Sequence, residues 1–192
     1  MKRLLAYLVG LVLVGAAVTA VVLAAHSSKS QDENISSQSS AAPTAQTAPT
    51  VKAACGVFTL ADAKKLLGDT AKGGGTTDST SSDDLAVTSC TYTRDSGSNA
   101  PVDGVNSATL LVRAPKTAQG RSSNQNQFGP LQPTGTVDVS GYGDKAYWDP
   151  QYGQLNILKN DTWYILSYGS VTPAERTLAQ TEQLANLLIN KM

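Results

Sequence analysis

Ser96 and His26 are the first residues to weigh for nucleophilic chemistry. Ser96 lies in the tripeptide Asp95-Ser96-Gly97, the kind of segment that carries the nucleophile in some serine proteases. A serine or cysteine nucleophile of the triad type needs a histidine as its base. The chain has one histidine, His26, and it directly follows a long apolar N-terminal run. We therefore predict no histidine-dependent hydrolysis.

Acidic residues offer a second chemistry, metal binding. Calcium loops alternate Asp or Asn ligands and end on a distal Glu. Zinc sites need several His or Cys ligands, and the chain has one His and two Cys. We therefore predict no metal site and expect the acids to be solvated loop residues. Two groups of residues could offer oxygen ligands to calcium, and neither matches this loop pattern. They are Asp78, Asp83 and Asp84, and Asp95 with Asn99.

Asp144 belongs to a glycine-rich segment that also contains Gly141 and Gly143. A dinucleotide-binding loop leads into a helix whose N-terminus binds phosphate, whereas this segment leads into a predicted strand. We predict a structural turn, in which glycine permits a positive φ and Asp144 accepts backbone hydrogen bonds, and no cofactor. A carboxylate-dependent hydrolase stays open as an alternative, because sequence does not place Asp144 relative to Asp149 or Asp161.

Most of the aromatic residues lie between positions 141 and 168. Successive side chains of a strand point to opposite faces, so both faces of a sheet built here have aromatic content. Two interpretations stay open. Either one face is core and residues 115–135 partly cover the other, or aromatic side chains line a groove for a glycan, lipid or peptide. The residues of that possible ligand surface are Tyr142, Tyr147, Trp148, Tyr152, Tyr164 and Tyr168.

Residues 1–26 predict a membrane anchor. Lys2 and Arg3 precede an uncharged run, residues 4–25, which is long enough as a helix to span a bilayer core. The run is longer than the apolar region of most signal peptides. We expect an uncleaved, single-pass signal anchor in the cell membrane, with a cleaved signal peptide and a secreted domain as the alternative. The basic pair places the N-terminus in the cytoplasm and the rest outside.

Residues 27–53 are rich in Ser, Thr, Gln, Ala and Pro and contain few large apolar groups. Such a segment cannot offset the entropy lost on ordering, so we predict a disordered linker. Residues 54–192 are long enough for one modest core, and we predict one extracytoplasmic domain. The net charge of the chain is zero, which argues against a nucleic-acid partner.

Cys55 and Cys90 are the only two cysteines, and both lie in the predicted domain. The predicted topology exposes them to an oxidising compartment, where disulfides form. Because two cysteines allow one intramolecular pairing, we predict a Cys55–Cys90 disulfide.

Local patterns predict an α+β domain. Thr59 and Asp62 form the pattern of a capping box before a helix that ends at Gly68. Alternating residues predict strands, and Pro173 marks the start of a last helix, 173–190, with an apolar face. Antiparallel strands with flanking helices form a layered α+β fold. We expect about five strands, at 85–94, 107–114, 145–149, 154–159 and 162–168, a possible short strand at 136–139, a marginal helix at 117–128, and the N-terminal and C-terminal helices packed on one face.

Three segments together resemble a family of extracytoplasmic domains, of unknown function, from actinobacterial cell-envelope lipoproteins. They are Cys55-Gly56-Val57-Phe58-Thr59-Leu60, Cys90-Thr91-Tyr92, and Gly141-Tyr142-Gly143-Asp144-Lys145-Ala146-Tyr147-Trp148. The resemblance covers residues 54–190 and implies an envelope location and no established activity. The chain departs from that family because no lipobox follows its apolar run, so an anchor helix would replace the lipid.

We therefore expect a membrane-anchored envelope protein with a binding or structural role and without catalysis. An accessory subunit that docks a membrane or envelope protein is the first alternative, and the carboxylate-dependent hydrolase is the second.

Overall fold

The computed structural model of the protein describes residues 52–78, 80–94 and 105–192. The predicted anchor, the linker up to residue 51, the tripeptide Asp95-Ser96-Gly97 and Asn99 lie outside the described residues. None of the helices in those three ranges is long and apolar enough to cross a membrane.

Four α-helices and one helical turn form in the described ranges. Thr59 caps α2 by accepting from the backbone N–H of Asp62, whose side chain accepts in return from the Thr59 backbone, so the predicted capping box is confirmed. The Thr117 side chain caps α3 by accepting from the backbone N–H of Gly120. The elements are α1 (Ala54–Val57), α2 (Leu60–Leu67), α3 (Ala118–Phe128), a single 3-10 turn (Pro173–Glu175) and α4 (Leu178–Leu188).

In the described residues, eight strands form one antiparallel sheet in the order β1-β3-β4-β8-β7-β6-β5, with β2 also paired to β3. The predicted α+β class is confirmed, but the sheet has eight strands rather than about five. Of the three additional strands, β5 lies within the possible short strand predicted at 136–139. The other two, β1 and β2, are two residues long and exposed, too short for a side-chain alternation to show in sequence. The bounds are β1 (Lys72–Gly73), β2 (Thr77–Asp78), β3 (Leu85–Thr93), β4 (Ser107–Pro115), β5 (Val137–Asp138), β6 (Lys145–Asp149), β7 (Gln154–Lys159) and β8 (Thr162–Gly169).

The main core lies on one face of the sheet, beneath α1, α2 and α4. Alternate residues of each central strand point to it, as the period of two requires. Leu110, Leu155 and Leu166 are fully buried there, as is Leu184 of α4. The N-terminal and C-terminal helices therefore share a face, as predicted. The Cys55–Cys90 disulfide is present and joins α1 to β3.

The opposite face of the sheet is covered in part by α3, which contacts β4, β7 and β8. A smaller apolar cluster lies beneath this helix: Phe128 of α3, Tyr147, Leu158 and the partly buried Trp163. Residues 115–135 thus contain a helix that covers part of the second face.

The last helix differs from its predicted bounds. Pro173 begins a 3-10 turn rather than the α-helix, and Thr172 forms no side-chain cap there. The backbone is extended at Arg176. The α-helix starts after Thr177, whose side chain accepts from Gln180 N–H while the Gln180 side chain accepts from the Thr177 backbone. This second capping box begins the helix at Leu178, five residues after Pro173.

Candidate functional site

Three of the six aromatic residues proposed as a ligand surface lie in the main core. Trp148, Tyr164 and Tyr168 are between 4 and 6% exposed and belong to the cluster beneath α1, α2 and α4. The Tyr168 hydroxyl donates to the carbonyl of Leu66 at 2.8 Å, which ties β8 to the end of α2. These three side chains stabilise the fold and are not accessible to a ligand.

The other three aromatic residues lie apart from one another. The Tyr142 hydroxyl donates a hydrogen bond to Asn186 Oδ1 at 3.0 Å, and this bond links the loop between β5 and β6 to α4. Tyr152 is 52% exposed in the turn between β6 and β7. Tyr147 is on the second face, beneath α3. The structure therefore does not bring the six residues together on one surface.

Gly141, Gly143 and Asp144 form the bend that enters β6. Gly143 has φ +59°, and a Cβ there would lie 2.4 Å from the Leu158 carbonyl oxygen. Asp144 N–H donates to that same carbonyl, and Asp144 Oδ2 accepts from Asn160 N–H at 2.9 Å. The bend thus packs directly on the β7–β8 hairpin. This close approach leaves no space for a side chain at Gly143, and the Asp144 carboxylate holds the bend to the hairpin through its bond from Asn160.

Three of the other candidate acids accept hydrogen bonds, and two are exposed. Asp149 Oδ1 accepts from the N–H groups of Gln151 and Tyr152, and Asp161 Oδ1 accepts from Gln125 at 2.6 Å. Asp84 accepts from Thr117 at the start of α3, while Asp78 and Asp83 are exposed. Within the described ranges, no group of three or more His, Cys, Asp or Glu residues could hold a metal ion.

A cleft of about 360 Å³ opens where the end of α3 meets strand β6 and the edge strand β5. Its volume lies near the lower end of the range for small-molecule sites. We call it the α3–β6 cleft. Its lining residues are Phe128, Gly129, Gln132, Asp138, Val139, Lys145, Ala146 and Tyr147.

The lining of the α3–β6 cleft combines a buried apolar base with polar groups that are partly or fully exposed. Phe128 and Tyr147 are 2 and 4% exposed, and their ring centroids are 5.0 Å apart. Burial, with a smaller contribution from the charge of Asp149, raises the pKa of Tyr147 to about 12. Its phenol is therefore a neutral hydrogen-bonding group at physiological pH. Gln132 Nε2 donates to Asp138 Oδ1 at 3.1 Å, beside the exposed Lys145.

Asn124 positions the helix that forms one wall of the cleft. It is fully buried, and its Nδ2 donates to the carbonyls of Arg113 and Asp161 at 2.9 and 2.7 Å. These bonds join α3 to β4 and to the β7–β8 turn. Gly120, Asn124 and Phe128, spaced four residues apart, form the buried side of the helix.

Arg113 and Trp163 complete the support of α3. The Arg113 guanidinium lies 5.5 Å from the Trp163 ring centroid, and burial lowers the pKa of Arg113 from its ordinary value. Arg113 also donates to Ser123 of α3, and Trp163 donates to Asn156 Oδ1 at 3.0 Å. Most of these contacts join residues from different parts of the sequence, so local patterns could not predict them. The one sequence clue to this site was the four-residue spacing of Gly120, Asn124 and Phe128 in α3.

Of the proposed ligand surface, only Tyr147 lines the α3–β6 cleft. The remaining lining residues were not predicted, because they come from three segments that meet only in the folded chain. No family model, no curated protein and no solved structure matches this chain.

Proposed function

We propose that this chain is a membrane-anchored, extracytoplasmic module of the cell envelope that binds a small ligand in the α3–β6 cleft without catalysis. The observation that carries the proposal is the cleft itself, in which a buried aromatic base lies next to an amide, a carboxylate and an ammonium group. A concave, largely apolar site with a few polar groups is the usual form of a small-molecule site.

Three observations support the envelope location. The apolar run at residues 4–25, preceded by Lys2 and Arg3, has the length and flanking charge of a signal anchor. The Cys55–Cys90 disulfide is typical of proteins in oxidising compartments. The resemblance to actinobacterial envelope lipoproteins supports the same location and adds no activity.

The carboxylates of the domain favour binding over hydrolysis. Asp144 and Asp149 accept hydrogen bonds from backbone N–H groups of turns, and Asp161 accepts one from Gln125 of α3. Glycoside hydrolysis needs two carboxylates on either side of a bound sugar. Only one carboxylate, that of Asp138, lines the α3–β6 cleft.

Native mass spectrometry of the full chain, purified in detergent from a native-like host, tests the proposal. We expect a reproducible added mass on the wild-type chain that is lost in Gly129→Phe, since Gly129 lines the cleft and a Cβ there would meet nothing within 4 Å. Circular dichroism verifies that the variant is folded, and Gln132→Ala serves as a second cleft variant. A bare wild-type mass under conditions that preserve ligands would refute small-molecule binding.

A protein partner is the second candidate. Leu131 and Val137, each adjacent in sequence to a cleft residue, are 64 and 54% exposed, and β5 is a short edge strand. Exposed apolar residues beside an open sheet edge suit the docking of another protein. Crosslinking from position 131 in intact cells would recover one specific partner under this alternative, with exposed Lys65 on α2 as the control position.

A further inference from the structure

The charged groups of the α3–β6 cleft are not neutralised by each other. Asp138 accepts a hydrogen bond from Gln132. Within the described part of the chain, no ion pair joins Asp138 or Lys145 to any other residue. One negative and one positive group thus line the same cleft without partners of opposite charge.

Strand register sets the separation of these two charges. Asp138 of β5 lies directly opposite Tyr147 of β6, and Lys145 precedes Tyr147 by two residues, on the same face of the strand. Diagonal neighbours in an antiparallel pair have Cα atoms about 7–8 Å apart. A small molecule can therefore contact both side chains at once.

The base of the cleft has a different chemistry. Phe128 and Tyr147 contribute the apolar base, whereas the side chains of Val139 and Ala146, which also line the cleft, pack against the main core. Tyr147 is 4% exposed, and among the described residues no group is hydrogen-bonded to its hydroxyl. The cleft therefore combines an apolar base, one hydroxyl without a hydrogen-bond partner among the described residues and two opposite charges.

We propose that the α3–β6 cleft binds a small zwitterion, an α-amino acid or short peptide with an apolar side chain. The ligand ammonium group lies against Asp138, its carboxylate lies against Lys145, and its side chain lies on Phe128 and Tyr147. This inference rests on the proposed function, because it names the ligand class of the same cleft.

Isothermal titration calorimetry on the full chain in detergent tests the ligand class with three probes. L-leucine and glycyl-L-leucine have both charges, whereas N-acetyl-L-leucine amide has neither. Because each partly exposed charge contact contributes up to about a fivefold change in affinity, we expect the blocked probe to bind about tenfold more weakly. Equal binding of the blocked and free probes would overturn the zwitterion assignment.

Charge-removing variants test the two contacts separately. We expect Lys145→Gln and Asp138→Asn each to raise the Kd of L-leucine by about threefold to fivefold and to leave the Kd of the blocked probe unchanged. Asparagine still accepts from Gln132, so the local bond is retained. Lys65→Gln and Asp69→Asn, at exposed positions in and just after α2, are the matched controls and should change neither Kd. Unchanged binding of L-leucine to both cleft variants would overturn the inference.

The two proposals fail in different ways. If the native chain carries an added mass that Gly129→Phe loses, but none of the three probes binds, the ligand class is wrong and the binding function stands. If neither an added mass nor probe binding is observed, both are wrong. Affinity for glycyl-L-leucine above that for L-leucine would identify a peptide, and the reverse would identify a free amino acid.

Discussion

Lys191 donates to Asp62 across 129 positions of sequence, with Nζ 2.5 Å from Oδ1. Asp62 is buried, and its other oxygen accepts from both the backbone and the hydroxyl of Thr59. One carboxylate thus caps α2 and also holds the C-terminal end of the chain. Burial acts to raise the pKa of Asp62, but the bonds from Lys191 and Thr59 outweigh it, so the pKa lies below its ordinary value.

This relationship predicts a loss of stability in acid. Since the folded-state pKa of Asp62 is depressed, its contribution is present above the unfolded value of about 3.9 and is lost as pH falls through the folded value. Asp62→Asn should lower the free energy of unfolding by about 1–2 kcal/mol at pH 7. Urea unfolding of the wild type and the variant should show a smaller difference in the free energy of unfolding at pH 3 than at pH 7. A difference that is equal at both pH values would contradict the role of the ionised carboxylate.

Reduction of the Cys55–Cys90 disulfide should destabilise the domain strongly. The two residues are 35 positions apart, and in the chain-entropy model a closed loop of that length contributes about 3–4 kcal/mol. Denaturant unfolding of the chain with and without reductant measures the difference. The Cys55→Ala, Cys90→Ala double variant controls for direct effects of the reductant and should be insensitive to it. A loss below about 1 kcal/mol would contradict this prediction.

Gly143 and Gly141 form a matched pair for the bend before β6. Both have positive φ, but a Cβ at Gly141 meets nothing within 4 Å, whereas one at Gly143 would lie 2.4 Å from the Leu158 carbonyl oxygen. Gly141→Ala should cost about 1 kcal/mol from backbone strain. Gly143→Ala should cost at least about 2 kcal/mol more, because backbone must move. Thermal and urea unfolding compare the two, and equal losses would show that the close approach is unimportant.

Asn124→Ala should destabilise α3 and the cleft it borders. The change removes both donors from the carbonyls of Arg113 and Asp161, which we expect to cost about 2–3 kcal/mol. Asn126→Ala is the control on the exposed side of the same helix, and it should be neutral or slightly stabilising because alanine favours helix. Urea unfolding measures both. Equal effects would contradict the positioning role of Asn124.

Local signals in the sequence were sufficient for much of the fold. The capping box of Thr59 and Asp62 and the side-chain alternation in β3 and β4 predicted elements that the structure contains. Such signals act between residues a few positions apart, so they are readable along the chain. The predicted start of the last helix was wrong because two local patterns competed. Pro173 begins only a 3-10 turn, and the capping box at Thr177 sets the start of α4.

The sequence by itself determined the α+β class, the single possible disulfide pairing and most of the strands, because helix caps, residue alternation and two cysteines each leave few choices. Only the tertiary structure decided that α3 covers the second face, that Trp148, Tyr164 and Tyr168 are core, and that Tyr147 lines a cleft. Those outcomes depend on which distant segments pack together. The Asn124 bonds to Arg113 and Asp161 are such a case, since a buried amide finds its partners only once β4 and the β7–β8 turn have met.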